Sequence, residues 1–395
     1  MKIFTALYLS IVVCSIAAAQ PSHSICVTDN FAPNQPKASR SINDKKVIRI
    51  NYHFMLKTNG TGNFRETDDG DGRTTYNGYM LANDITGWAN YACSVNPQMN
   101  IPTGNTTAAL PKNYSFVTDA VYFWRNDATY VFNNINYSTQ GKDKDSVLNI
   151  FLTFATDSHS NGDATMRGYA SNLDPMSKVK YTENRGAWQR YKWHINQGYP
   201  FDWYMHGAGV QISHELGHLL GLSHTVLWNH GVPCPTGCID SSNKGYGSIS
   251  TACDDGCSDT PPAWTITTSG GCENHPSCGW GTGGDANCSN NLMDYNGSIT
   301  LSPCQIGIVH FCLEIGMKSY LSCAAVSKDL ALCDIGYPKL SYFGKNVSIG
   351  CAATKADITN GEKINLYFSG SVELNNFEVS SNSTFEVVKE GICAF

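Results

Sequence analysis

The sequence predicts an α+β fold followed by a small all-β module. Three observations carry that prediction. Val47 to Phe54 and Ser146 to Phe154 are short, apolar and β-rich, as strands are. Tyr76 to Cys93 spaces Met80, Ile85, Trp88, Ala89 and Ala92 at helical intervals, and a second helix covers about 205–220. The tail from about 325 holds only short alternating segments: Ile364 to Phe368, Val372 to Leu374 and Thr384 to Val388.

The elements follow in order. Lys2 opens a run that is apolar from Ile3 to Ala19 and ends in Ala17-Ala18-Ala19, the pattern of a secretory signal peptide over 1–19. A membrane anchor is the alternative, but the run sits at the lower limit for crossing a bilayer and no charged flank follows it. Residues 20–45 are polar, rich in Ser, Asn and Pro, and read as a short leader containing Cys26. The main domain spans 46–324, and the β-rich module spans 325–395. Within the main domain, Phe116 to Phe132 reads as two strands, and Arg167 to Ala170 as a short edge strand. From Gly231 to Ser289 the chain carries seven cysteines among Gly, Ser, Asp and Pro, so cross-links replace an apolar core there.

Composition narrows the function classes. Apolar residues make up 42% and charged residues 15%, which excludes a disordered chain. Lys and Arg number 27 against 33 Asp and Glu, a net charge of −6, so nothing marks a nucleic-acid surface. Sixteen cysteines suit an exported, disulfide-forming protein with no stable membrane insertion. Cleavage after residue 19 removes Cys14 and leaves an odd number, so at least one cysteine is unpaired or bonds outside the chain.

The chemistry is concentrated in His214-Glu215-Leu216-Gly217-His218-Leu219-Leu220-Gly221-Leu222-Ser223-His224. His214 and His218 are four residues apart and share one helix face, within reach of one metal. Gly221 takes the left-handed conformation that ends a helix, and the turn brings His224 back as a third ligand. Three imidazoles leave a tetrahedral zinc one open position for water, the catalytic arrangement, with Glu215 beside it as general base. The five fixed residues recur by chance in about 2 of 100,000 chains of this composition.

This string resembles the metzincin signature of zinc metallopeptidases. Asn291-Leu292-Met293-Asp294-Tyr295-Asn296 resembles that group's Met-turn, whose methionine packs beneath the zinc site. Asp259-Thr260-Pro261 resembles a segment of the pappalysin (cytophagalysin) branch, and the resemblance covers about 45–320. It implies a metzincin, zincin-like catalytic domain: a twisted mixed β-sheet, a backing helix and an active-site helix above a disulfide-rich C-terminal subdomain. It also implies a secreted zinc metalloendopeptidase acting on protein or peptide substrates. A zinc-activated water attacks the scissile carbonyl, Glu215 serves as general base and acid, and Tyr295 stabilises the oxyanion or simply packs near the Met-turn. In such folds the peptide lies along an exposed edge strand, here Arg167 to Ser171. The alternative from another class is a catalytically silent binding or adhesion module on the same fold. Hydrolysis of a non-peptide amide by the same residues is a third reading.

Other residues admit two readings each. Asp254, Asp255, Asp259 and Thr260 offer hard oxygens to a structural calcium, as in pappalysin relatives, or form a solvated acidic loop. Asp68-Asp69-Gly70-Asp71-Gly72 poses the same choice. Cys234, Cys238, Cys253 and Cys257 have the spacing of a four-thiolate zinc site, although an exported protein favours disulfides. Cys26 in the leader either closes the open zinc position as a zymogen switch or is disulfide-bonded. The tail resembles short β modules that end exported bacterial proteins, which implies an attachment or substrate-binding role at the cell surface.

Overall fold

The computed structural model describes residues 44–100, 106–156, 166–171, 177–225, 257, 259–260, 264–266, 272–274, 289–294, 298–351, 355–359 and 361–390. Residues 1–43, which hold the expected signal peptide and Cys26 of the expected leader, and Asp254, Asp255 and Tyr295 lie outside these residues. No helix among the described residues is long and apolar enough to cross a membrane.

A twisted mixed five-stranded sheet forms the first layer, in the order β2-β1-β3-β5-β4. Its strands are β1 (Lys46–Leu56), β2 (Tyr114–Arg125), β3 (Leu148–Thr153), β4 (Arg167–Ala170) and β5 (Tyr181–Arg185). The first four in spatial order run parallel, and β4 is antiparallel to β5 at the margin. Being covered on both faces, β1 is buried along nearly its whole length. Ile48, Ile50, Tyr52 and Phe54 enter the main core, while His53 on the other face donates to Asn149 and accepts from Trp124.

Among the described residues, four helices longer than two turns complete this part: α1 (Gly78–Ser94), α2 (Ala187–Gln197), α3 (Phe201–Leu219) and α4 (Pro303–Ile315). Asn77 caps α1 by accepting from the Met80 N–H at 3.0 Å. The buried stripe of α1 is Leu81, Ala82, Ile85, Ala89 and Ala92; of the expected stripe, Ile85, Ala89 and Ala92 are in it, Trp88 is partly buried and Met80 is exposed. It packs on β2 and on α3. Trp88 sits so close to Gly209 that a methyl group there would lie 2.3 Å from the Trp88 Cβ. The glycine therefore sets how near the two helices approach.

The segment expected as two strands, Phe116 to Phe132, contains one long strand. It follows β1 to Arg125 and then turns. Tyr130 and Phe132 instead pin the end of β3, through two backbone hydrogen bonds with Phe154 and a stacked Tyr130–Phe154 pair. In the cysteine-rich region, β6 (Trp264–Ile266) and β7 (Cys272–Asn274) form a small antiparallel pair.

The tail is built of parallel strands: β8 (Leu330–Leu332), β9 (Ser341–Gly344), β10 (Val347–Ile349), β11 (Ala356–Ile358), β12 (Lys363–Phe368), β13 (Val372–Leu374), β14 (Phe377–Val379) and β15 (Thr384–Lys389). They stack in three small sheets, β13-β10-β8, β11-β14 and β15-β12-β9, so that the chain winds in coils. Val347, Ile349, Ile358, Ile364 and Leu366 fill the coils and belong to the same apolar cluster as the main sheet. The tail also covers the free margin of β2. Val121 N–H donates to the Pro338 carbonyl, Leu340 N–H donates to that of Asp119, and the buried Asp119 side chain pairs with Arg49 and Lys339. Cys333–Cys351 cross-links the first coils.

Candidate metal centre

Helix α3 carries His214, Glu215 and His218, and its end is defined by Gly221 at φ +93°. The Leu222 N–H reaches back to the Gly217 carbonyl and the Gly221 N–H to that of His218, the Schellman closure that a left-handed glycine permits. The reversed chain then places His224 over the helix. Its Nε2 lies 3.0 Å from the Nε2 of His214 and 3.0 Å from that of His218.

The proton positions follow from the partners. His214 Nδ1 is 2.7 Å from the Leu292 carbonyl, and His218 Nδ1 is 2.7 Å from that of Leu222. A carbonyl only accepts, so both Nδ1 atoms carry hydrogen and both Nε2 lone pairs converge on His224. Three ring nitrogens this close form a group able to hold one metal ion. Nitrogen ligands around a tetrahedral zinc stand roughly 3.3 Å apart, so the spacing fits one zinc ion. Burial lowers His214 to about 4 and His218 to about 3, and it holds His224 well below its ordinary value. The imidazoles are thus neutral at pH 7, as metal ligands must be.

Glu215 is 5% exposed. Burial pushes its carboxyl up to about 8, against a lowering hydrogen bond from Gln211. The Gln211 Nε2 donates to Glu215 Oε1 at 3.1 Å. From the other side the edge strand closes in: a methyl group on Gly168 would lie 2.2 Å from Oε1 and 2.3 Å from Cδ.

Met293 is fully buried below the histidines, against Gly217 between the two helical ligands. Its turn is tied at both ends. Met293 N–H donates to Asn291 Oδ1, its carbonyl accepts from Thr225, and Asn291 Nδ2 donates to Gln305 Oε1. Gln305 is part of the capping box that opens α4 with Ser302. A methyl group at Gly217 would stand 2.6 Å from Met293 Sδ. Gly217→Ala is therefore expected to push Met293 aside, together with the Leu292 carbonyl that orients His214. The cost is about 1–3 kcal/mol in urea unfolding of the zinc-free protein, with weakened zinc binding.

The other residues singled out have protein partners of their own. Cys257 is disulfide-bonded to Cys304, so it is no longer a thiolate for a four-cysteine zinc site. Asp259 Oδ2 accepts from the Cys304 N–H in the first turn of α4, and the Thr260 hydroxyl donates to the Cys257 carbonyl. In the 68–72 loop, Asp68 accepts from the Arg65 guanidinium, the Thr67 hydroxyl and the Gly70 N–H, while Asp69 accepts from the Asp71 and Arg73 backbone N–H groups and the Tyr191 hydroxyl. Cys93 is a free thiol, buried and pushed up to about 12, so the odd cysteine count does not require Cys26 to be unpaired. His310 is an interior histidine whose Nε2 faces the Lys112 carbonyl, and His206 stands edge-on to Trp88.

Sequence reasoning did not single out Gln211, Gly168 or α4. Each left a signal: a glutamine one turn before the glutamate, a glycine in an edge strand, and Ser302-Pro303-Cys304-Gln305, a capping box with proline at the first helical position. No protein-family model matches the chain, and no curated protein matches it either.

Proposed function

We propose that this chain is an exported zinc metalloendopeptidase with a metzincin-type catalytic domain. One observation carries the reading: three imidazoles, two of them buried with Nδ1 fixed by backbone carbonyls, converge through Nε2 beside a buried glutamate. When bound, zinc supplies Lewis acidity, lowering the pKa of a coordinated water towards ~7 and polarising a carbonyl.

The chain's own residues do the rest. His214, His218 and His224 hold the ion. Glu215 accepts a proton from the attacking water and returns it to the leaving amine. Strand β4 pairs only with β5 among the described strands, so its outer backbone edge offers main-chain hydrogen bonds to an extended peptide. The close approach of Gly168 to Glu215 puts that edge next to the base. Met293 supports the ligands from below, and Tyr295 is assigned the oxyanion. The calcium reading of the 254–260 loop and the latency reading of Cys26 belong to the same proposal.

Product analysis tests it. Incubation with a denatured protein and a library of blocked peptides is expected to give internal cleavages. Hydrolysis confined to small non-peptide amides, or no hydrolysis by protein that holds zinc, would replace this reading.

A further inference from the structure

The face of α3 below the edge strand bears Gly207, Gln211 and Glu215, one turn apart each. Met166 packs over Gly207, its Cε 3.4 Å from where a methyl group there would lie, and Gly168 over Glu215. Gln211 lies between these two contacts, 7% exposed, and its amide is directed at Glu215 Oε1. Glu215 Oε2 has no protein donor among the described residues. The carboxylate is thus held at one oxygen by an amide and limited in depth by strand backbone.

We propose that Gln211 is a positioning residue for the general base, with Gly168 as its steric counterpart. The Gln211 amide fixes Oε1 and so leaves Oε2 as the oxygen that takes and returns the proton. The absent side chain at Gly168 is the space that lets the carboxylate occupy this place. An ordinary i,i+4 pair on a helix would add a little stability and leave turnover alone. A positioning role moves kcat, because a displacement of about 1 Å in a reacting group costs about 100-fold. This inference rests on the peptidase reading, since it assigns a role in that reaction.

The test uses the full chain and the variants Gln211→Met, Gln211→Glu and Gly168→Ala. Gln211→Met keeps the volume and removes the donor, and Gln211→Glu places an acceptor against an acceptor. Both are expected to lower kcat about 10-fold or more with KM within about twofold and zinc content unchanged; Gly168→Ala is expected to lower kcat about 100-fold. A second readout needs no activity. Urea unfolding of chelator-treated protein in the cycle Gln211→Met, Glu215→Ala and the double variant is expected to show coupling of about tenfold in the unfolding constant. An additive cycle, or unchanged kcat in both Gln211 variants, overturns the proposal. Coupling in a wild-type protein that binds zinc and cuts no peptide would keep the contact, refute the peptidase reading and, with it, the role assigned here. If Gln211→Met fails to fold, Gln211→Glu carries the same comparison.

Discussion

Glu215→Ala is expected to retain one zinc per chain and lose kcat by about 10²–10⁴-fold or more. The two halves of this result have separate causes. The proposed ligands are Nε2 of His214, His218 and His224, and the Leu292 and Leu222 carbonyls, rather than Glu215, orient the first two. The lost rate is that of the proton transfer. Removing a carboxylate that is 5% exposed relieves a buried charge, so the zinc-free variant is expected to be no less stable than wild type in urea unfolding at pH above 8. Metal analysis beside steady-state kinetics checks both. Loss of zinc in this variant would mean that Glu215 is a ligand or a structural support.

His218→Ala is expected to abolish stoichiometric zinc binding and activity together. Two nitrogens remain, and the loss exceeds the 10–100-fold in affinity that removal of an outer-sphere partner costs. Stability gives an independent reading. A ligand that binds only the folded state at about 1,000 times its Kd adds about 4 kcal/mol, so wild-type stability rises with added zinc while that of the variant stays flat. In chelator the variant is about 1–3 kcal/mol less stable, because the Leu222 carbonyl loses its buried donor. A parallel rise in the variant would place the ion elsewhere.

How much of this was legible in the sequence depended on whether the determinant is local. The metal centre was, because a helix period and one left-handed glycine bring His214, His218 and His224 together whatever surrounds them. Strands β1, β3 and β4 and helices α1 and α3 were legible as well, from apolar runs or spacing. Strand β5 was not: Thr182, Glu183 and Asn184 are polar yet buried, because the sheet imposes that burial. Three of the tail's strands, at 364–368, 372–374 and 384–388, were visible singly, but the others and the stacking were not. The offset between partners changes from Leu330–Val347 to Val347–Val372, so no fixed period appears. Its docking on β2 depends on Asp119, Arg49 and Lys339, which are distant in sequence. Gln211 sits one turn from Glu215, but its role, like that of Gly168, shows only once the edge strand is seen to close over the carboxylate.

The central claim is that the three histidines and Glu215 form a zinc-dependent peptide-cleaving centre. The most direct measurement pairs metal analysis with a peptide-library digest of the same purified sample, before chelation, after chelation and after zinc is restored. The account predicts about one zinc per chain, with cleavage that stops when the metal is removed and returns when it is replaced. Stoichiometric zinc with no peptide cut after the leader has been removed, or cleavage that persists without the metal, would contradict it.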